Sequence, residues 1–124
     1  MEDIFKINML LIYYKNLLTE RQKKCLEMYY EYDYSLNEIA DILKISKQGV
    51  SDNIKRGIEN LSEYEDKLKM INNRFKNEKK LEILKELFDE FENNSKDYDS
   101  ETLSKIKNVL FNMEVEDDIW ITFR

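Results

Sequence analysis

The residues best suited to chemistry in this 124-residue chain lie between Ser46 and Arg56. Lys47, Gln48, Ser51, Asp52, Lys55 and Arg56 recur at one-, three- and four-residue steps, which on a helix places them on one side. Lysine and arginine there can pair with phosphates, and the Gln48 amide and the Ser46 and Ser51 hydroxyls can hydrogen-bond base edges. Asp52 opposes phosphate from the middle of this set, and it could instead accept from a cytosine amino group or orient Lys55 or Arg56. A helical hairpin with a solvated polar face has much the same composition, so the neighbouring elements must decide. Other chemistry is poorly provided for. The chain has no histidine and no glycine-rich phosphate loop, and its single cysteine, Cys25, falls in a helical pattern with Leu26, Met28 and Tyr29 that predicts a buried thiol. We expect no enzyme and no cofactor. Glu116, Asp117 and Asp118 match no calcium-loop spacing and read as a solvated tail. Tyr29, Tyr30, Tyr32 and Tyr34 read as core packing and turn cover, because base-stacking platforms are mostly built on exposed sheets.

The elements that must position Lys47 to Arg56 are two short capped helices. Ser35-Leu36-Asn37-Glu38 is a capping box opening a helix with apolar Leu36, Ile39, Ala40, Ile42 and Leu43. Only Lys44-Ile45-Ser46 separates it from the next helix, which Ser46 caps and which keeps Val50, Ile54, Ile58 and Leu61 in helical register. A joint this tight crosses the helices steeply and projects the second one outward, the requirement of a helix-turn-helix module. Ala40 is small at the expected crossing, and Ile45 plugs the turn. The module spans Thr19 to Leu61. Thr19-Glu20-Arg21-Gln22 is another capping box, starting a helix to about Tyr32 with Gln22, Cys25, Leu26, Tyr29 and Tyr30 inward. Ile4 to Leu18 precede it as a helix with Ile7, Leu10, Leu11, Tyr14 and Leu18 inward. The helix from Lys47 either continues through Tyr64, Leu68, Ile71 and Phe75 or breaks near Asn72-Asn73.

Beyond it, Leu81, Leu84, Leu87, Phe88 and Phe91 predict an amphipathic helix, and Asn93 to Asp97 a loop. A last helix is expected from about Glu101 to Met113, capped by Asp99 or Ser100, with Leu103, Ile106, Val109, Leu110 and Met113 inward. Ile119, Trp120, Ile121 and Phe123 are too apolar to hang free in water, so they are expected to fold back or to dock on another subunit.

Composition agrees with an all-α fold. No proline and two glycines leave few turn residues for hairpins, while 37% charged residues suit long solvated helices. No stretch approaches a membrane span, and a cytoplasmic location is expected. The formal net charge is −6. Residues 1–18 carry two charges of each sign, 19–57 seven of each, and 58–124 eleven basic and seventeen acidic, so the excess acid lies wholly in the last part. We therefore divide the chain into a helix-turn-helix module, 1–63, with its turn at 44–46, and an acidic helical extension, 64–124, for dimerisation or partner binding. Glu86, Asp89 and Glu90 are its candidate contacts with a basic partner.

Tyr13-Tyr14-Lys15-Asn16-Leu17-Leu18-Thr19-Glu20-Arg21-Gln22, Met28-Tyr29-Tyr30, Asp33 to Ala40, Ile45 to Arg56 and Tyr64-Glu65-Asp66-Lys67-Leu68 together resemble the YlxM family of small bacterial proteins. The resemblance covers about half the chain and implies a helix-turn-helix like that of sigma factor region 4, followed here by an additional C-terminal helical region. Genes of that family tend to lie beside those for the signal recognition particle protein Ffh and its receptor FtsY, which implies a regulatory or accessory role in that pathway. The family more often carries Arg-Gln-Ala where this chain has Lys47-Gln48-Gly49, so a bidentate guanidinium gives way to a point charge. Three functions follow: an accessory touching Ffh or the particle's RNA, a dimeric regulator binding duplex DNA, and an adaptor whose acidic helix binds a basic protein surface.

Overall fold

In the computed structural model, residues 3–111 are described, and among them all regular structure is helical. The order is α1 (Ile4–Tyr14), a 3-10 turn (Lys15–Leu17), α2 (Glu20–Leu26), a π-helical turn (Glu27–Glu31), α3 (Leu36–Leu43), α4 (Lys47–Leu68), α5 (Met70–Asn94) and α6 (Ser100–Phe111). Contacts divide the chain into two units, Met1–Arg74 and Phe75–Arg124. The boundary drawn from the sequence at 63/64 falls inside α4. Met113 and the tail with Glu116, Asp117, Asp118, Ile119, Trp120, Ile121 and Phe123 lie outside the described residues.

The first unit forms around one stripe of α4. Val50, Ile54, Gly57 and Leu61 are all buried, and they meet Ile7, Leu10, Leu11 and Tyr14 of α1, Cys25 and Leu26 of α2, and Ile39 of α3 in one core. Burying each large aliphatic side chain contributes roughly 1.5–3 kcal/mol, which drives α4 against three helices at once. The closest approach is at Gly57. A Cβ built there would lie 2.6 Å from Leu26 Cδ1 and 3.4 Å from Cγ, and Leu26 is itself fully buried with nowhere to retreat. The close fit is therefore made at Gly57 of α4 against Leu26 of α2. A glycine on the apolar stripe in the middle of a strictly periodic helix was its signature in the sequence.

Two expectations need correction. The helix expected to reach Tyr32 is α-helical only to Leu26, and the π turn that follows, closed by Tyr32 N–H to the Glu27 carbonyl at 3.1 Å, rotates the next side chains out of register. Tyr29, expected inward, is consequently exposed, as are Tyr32 and Tyr34, and only Tyr30 is half-buried. Tyr30 thus packs against the core, and Tyr29, Tyr32 and Tyr34 cover the turn. Ile42 of α3 is likewise exposed, and so are Ile106 and Val109 of α6, which were expected inward. Of the two courses left open for the long helix, the break is the one taken, at Lys69 just before Asn72-Asn73, with Lys69 in the left-handed region at φ 54°.

That break is held by side chains far away in sequence. Buried Tyr14 donates its hydroxyl to Glu65 Oε1 at 2.6 Å and accepts the Met70 amide at 3.1 Å. Glu65 also accepts the amides of Ile71 at 3.0 Å and Asn72 at 3.2 Å. The orphan N–H groups that begin α5 are thereby satisfied without a serine, threonine or aspartate cap. Tyr64 adds a hydrogen bond to the Leu17 carbonyl at 3.1 Å, tying the same end of α4 to the 3-10 turn. Burial and the Glu65 carboxylate push the Tyr14 hydroxyl above its ordinary pKa. Burial raises the Glu65 carboxyl, but the Tyr14 hydroxyl, the Ile71 and Asn72 amides and the Lys69 ammonium outweigh it and hold it below the usual value.

In the second unit, α5 and α6 pair through Phe88 edge-on to Phe111, ring centroids 6.1 Å apart, and through Phe91 against Tyr98 at 5.3 Å. Lys107 reaches Glu92 at 2.9 Å and Asp89 at 3.8 Å. Of the two residues weighed as the cap of α6, Asp99 performs it, accepting the amides of Glu101 and Thr102. Leu103 is the one buried side chain among the unit's described residues. Among the described residues, no helix is long and apolar enough to cross a membrane.

Gly57→Ala should destabilise the protein by about 1–2 kcal/mol in a chemical denaturation experiment, because overpacking against Leu26 exceeds the helix-propensity gain of ~1 kcal/mol. Tyr14→Phe orphans the Met70 amide and should cost about 1–3 kcal/mol. Because the folded Glu65 value is depressed, its contribution is full at neutral pH and fades as pH falls below the ordinary carboxylate range, so Tyr14→Phe should also flatten the acid limb of the stability curve.

Candidate nucleic-acid interface

The joint between α3 and α4 is built from backbone geometry and one cap. Lys44 takes the left-handed conformation at φ 57°, ψ 44°, a position more often given to glycine. Its N–H and that of Ile45 both donate to the Ala40 carbonyl, the second at 3.2 Å, which closes the end of α3. Ile45 packs, half-buried, against the core and fills the corner. Ser46 Oγ then accepts the Gly49 amide at 2.9 Å and starts α4. A Cβ at Gly49 would lie 3.1 Å from that same oxygen, so the missing side chain leaves the cap undisturbed. The turn at 44–46 and the helix start at Lys47 coincide with the sequence expectation.

Anchoring by Val50, Ile54 and Gly57 decides which side of α4 faces water. Ser46, Lys47, Gln48, Ser51, Asp52, Lys55 and Arg56 are all exposed, and between them Asn53 is half-buried with its amide donating to the Gly49 carbonyl at 2.8 Å. The structure therefore brings every residue of the candidate set onto one open face, Ser46 and Lys47 at its start and Arg56 two and a half turns on. Lys44, which the sequence marked only as part of the turn, adds an exposed cation at the joint. Its signal was the short joint Lys44-Ile45-Ser46 between two capped helices, which calls for a sharp reversal there.

Asp52 takes a partner on its own helix other than the two cations it was considered to orient. It accepts a hydrogen bond from Gln48 Nε2 at 3.0 Å, one turn earlier, and among the described residues it has no ion pair with Lys55 or Arg56. The carboxylate thus partly occupies the amide best suited to reading an adenine, and Lys47, Lys55 and Arg56 keep their charges directed to solvent. An exposed face with three cations, one carboxylate and an internally engaged glutamine is better equipped to hold phosphates than to read bases.

The second candidate set separates. Glu86, Asp89 and Glu90 are exposed on α5, but Asp89 is drawn toward Lys107 of α6, which Glu92 also binds, and the hydrogen bond that Lys107 donates to Glu92 together with both carboxylates raises the Lys107 pKa. Glu86 and Glu90 have no ion pair among the described residues. Cys25 lies in the core, its thiol pushed up by burial.

Ser46→Ala removes the acceptor for the Gly49 amide without touching the core. It should cost about 1 kcal/mol and fray the first turn of α4, which amide hydrogen exchange at Lys47 to Val50 would register as weakened protection.

Comparison with known proteins agrees with this architecture. The model of the YlxM / p13 like helix-turn-helix family, UPF0122, matches residues 1–114. A UPF0122 protein of Caldanaerobacter subterraneus is 47% identical over 87 residues, 69% of this chain and 74% of its own. A UPF0122 protein of Clostridium perfringens is 42% identical over 114 residues, covering 87% of this chain and 99% of that one. The chain is thus an all-α protein of a nucleic-acid-binding type of fold, and it belongs to the YlxM-like UPF0122 helix-turn-helix family.

Proposed function

We propose that this protein is a non-enzymatic regulatory accessory of the signal recognition particle pathway that contacts nucleic acid through the N-terminal face of α4. The observation that supports contact is the open set Lys44, Lys47, Lys55 and Arg56, presented around a joint that leaves the start of α4 uncovered. The pathway assignment leans on the motif resemblance and its implied association with Ffh and FtsY. Because A-form RNA has a deep, narrow major groove, contact with the particle's RNA would run through phosphates and shape and not through base edges. The engaged Gln48–Asp52 pair suits that mode, since it leaves the cations free.

A second reading, a dimeric regulator on duplex DNA, is favoured by the tight α3–α4 joint, whose geometry suits the B-form major groove. The two readings part on salt and on competitor. Under the accessory reading, full-length protein binds the particle's RNA with a salt-dependent affinity that duplex DNA competes poorly, and capture from native extract recovers Ffh or its RNA. Lys47→Ala with Lys55→Ala should weaken that binding about tenfold or more and reduce the slope of log affinity against log salt by about 0.7–0.9 for each lysine–phosphate pair removed. Recovery of neither Ffh nor the RNA would sink the accessory reading. Absence of salt-dependent binding to any duplex would sink the regulator.

A further inference from the structure

Helix α5 carries a surface that the nucleic-acid face does not use. Lys76, Lys80, Ile83, Leu87 and Glu90 alternate steps of four and three residues, the spacing that keeps a single seam on an α-helix. All five are exposed, Ile83 by 49% and Leu87 by 54%. Lys79 and Glu86 flank the seam on the same side. Its first part is wholly cationic, its centre apolar and its last part wholly anionic. Leu84, Leu87 and Phe91 continue the apolar centre into a groove of about 320 Å³ that they share with Phe88 and Leu103. A helical hairpin whose described residues include one buried side chain is far short of a core of its own.

This pattern is complementary to itself in one orientation only. We propose that the seam is the interface of a homodimer in which α5 of two copies pair antiparallel, centred on Lys85. In that register Lys80 faces Glu90 of the second copy, Ile83 faces Leu87, and the two-fold axis repeats both contacts. Parallel pairing would set Lys80 against Lys80 and Glu90 against Glu90, and the like charges reject it. The chemistry is that of an antiparallel coiled coil, with an apolar centre supplying affinity and end charges supplying direction. The proposal stands apart from the nucleic-acid reading, because every seam residue lies in the second unit.

The test is a charge swap on the full-length chain, read by sedimentation equilibrium. Lys80→Glu or Glu90→Lys alone turns two attractive contacts repulsive and should raise the dimer Kd on the order of tenfold. Combining both changes in one chain should restore dimerisation, and mixing the two single variants should form a heterodimer tighter than either homodimer. Ile83→Lys, at an exposed seam position outside the groove shared with Leu103, should give monomer. Wild-type protein that stays monomeric up to its solubility limit, or a double variant no tighter than the single ones, would overturn the proposal.

Discussion

The buried stripe Val50, Ile54, Gly57 and Leu61 is the constraint on which the first unit depends. One side of α4 must satisfy α1, α2 and α3 together, so the rotation of α4 about its axis is set by packing and not by its polar residues. Leu26 can be fully buried beneath α4 only because position 57 has no Cβ. Every exposed residue from Ser46 to Arg56 owes its direction to that arrangement. The working face is in this sense the complement of the core: the side of the helix that three neighbours leave over.

At the other end of α4, polar chemistry takes over from packing. Tyr14 is buried, yet its hydroxyl finds both a donor and an acceptor, so the cost of removing it from water is offset. Glu65 accepts three hydrogen bonds across its two oxygens, an arrangement that keeps a partly buried carboxylate ionised. The Lys69 break is thus tied to α1. The motif segments 13–22 and 64–68, separated by more than forty residues, touch here through Tyr14 with Glu65 and Leu17 with Tyr64.

Charge is sorted along the molecule by role. The first unit presents cations at the α3–α4 joint without a net positive field, which suits contacts that position a ligand more than long-range steering. On α5 both signs occur, but in sequence along one seam, and there order matters more than the sum. A net charge of −6 taken for the whole chain would hide both features.

Several elements were legible from residues alone because their causes are local. The capping boxes at Thr19 and Ser35 and the Ser46 cap form as read, since each rests on a side chain reaching an amide three residues on. The α3–α4 turn followed from two caps too close together for any other connection. The candidate face was legible in the same way, as the polar remainder of a strict helical period. What the sequence did not reveal depended on contacts between distant residues or on hydrogen bonding without a fixed residue signature. The π turn after Leu26 exposed Tyr29 by an extra residue that no periodicity records. The end of α4 moved to Lys69 because Tyr14 and Glu65 cap α5 from outside its own sequence. Asp52 took Gln48 as its partner, a choice among several side chains within reach that rotamers and not spacing decide. The sequence by itself determined where the locally capped helices α2, α3 and α4 start and which side of α4 is apolar. Only the tertiary structure decided where α4 stops and α5 begins, because that junction is satisfied by Tyr14, a group brought near in folding.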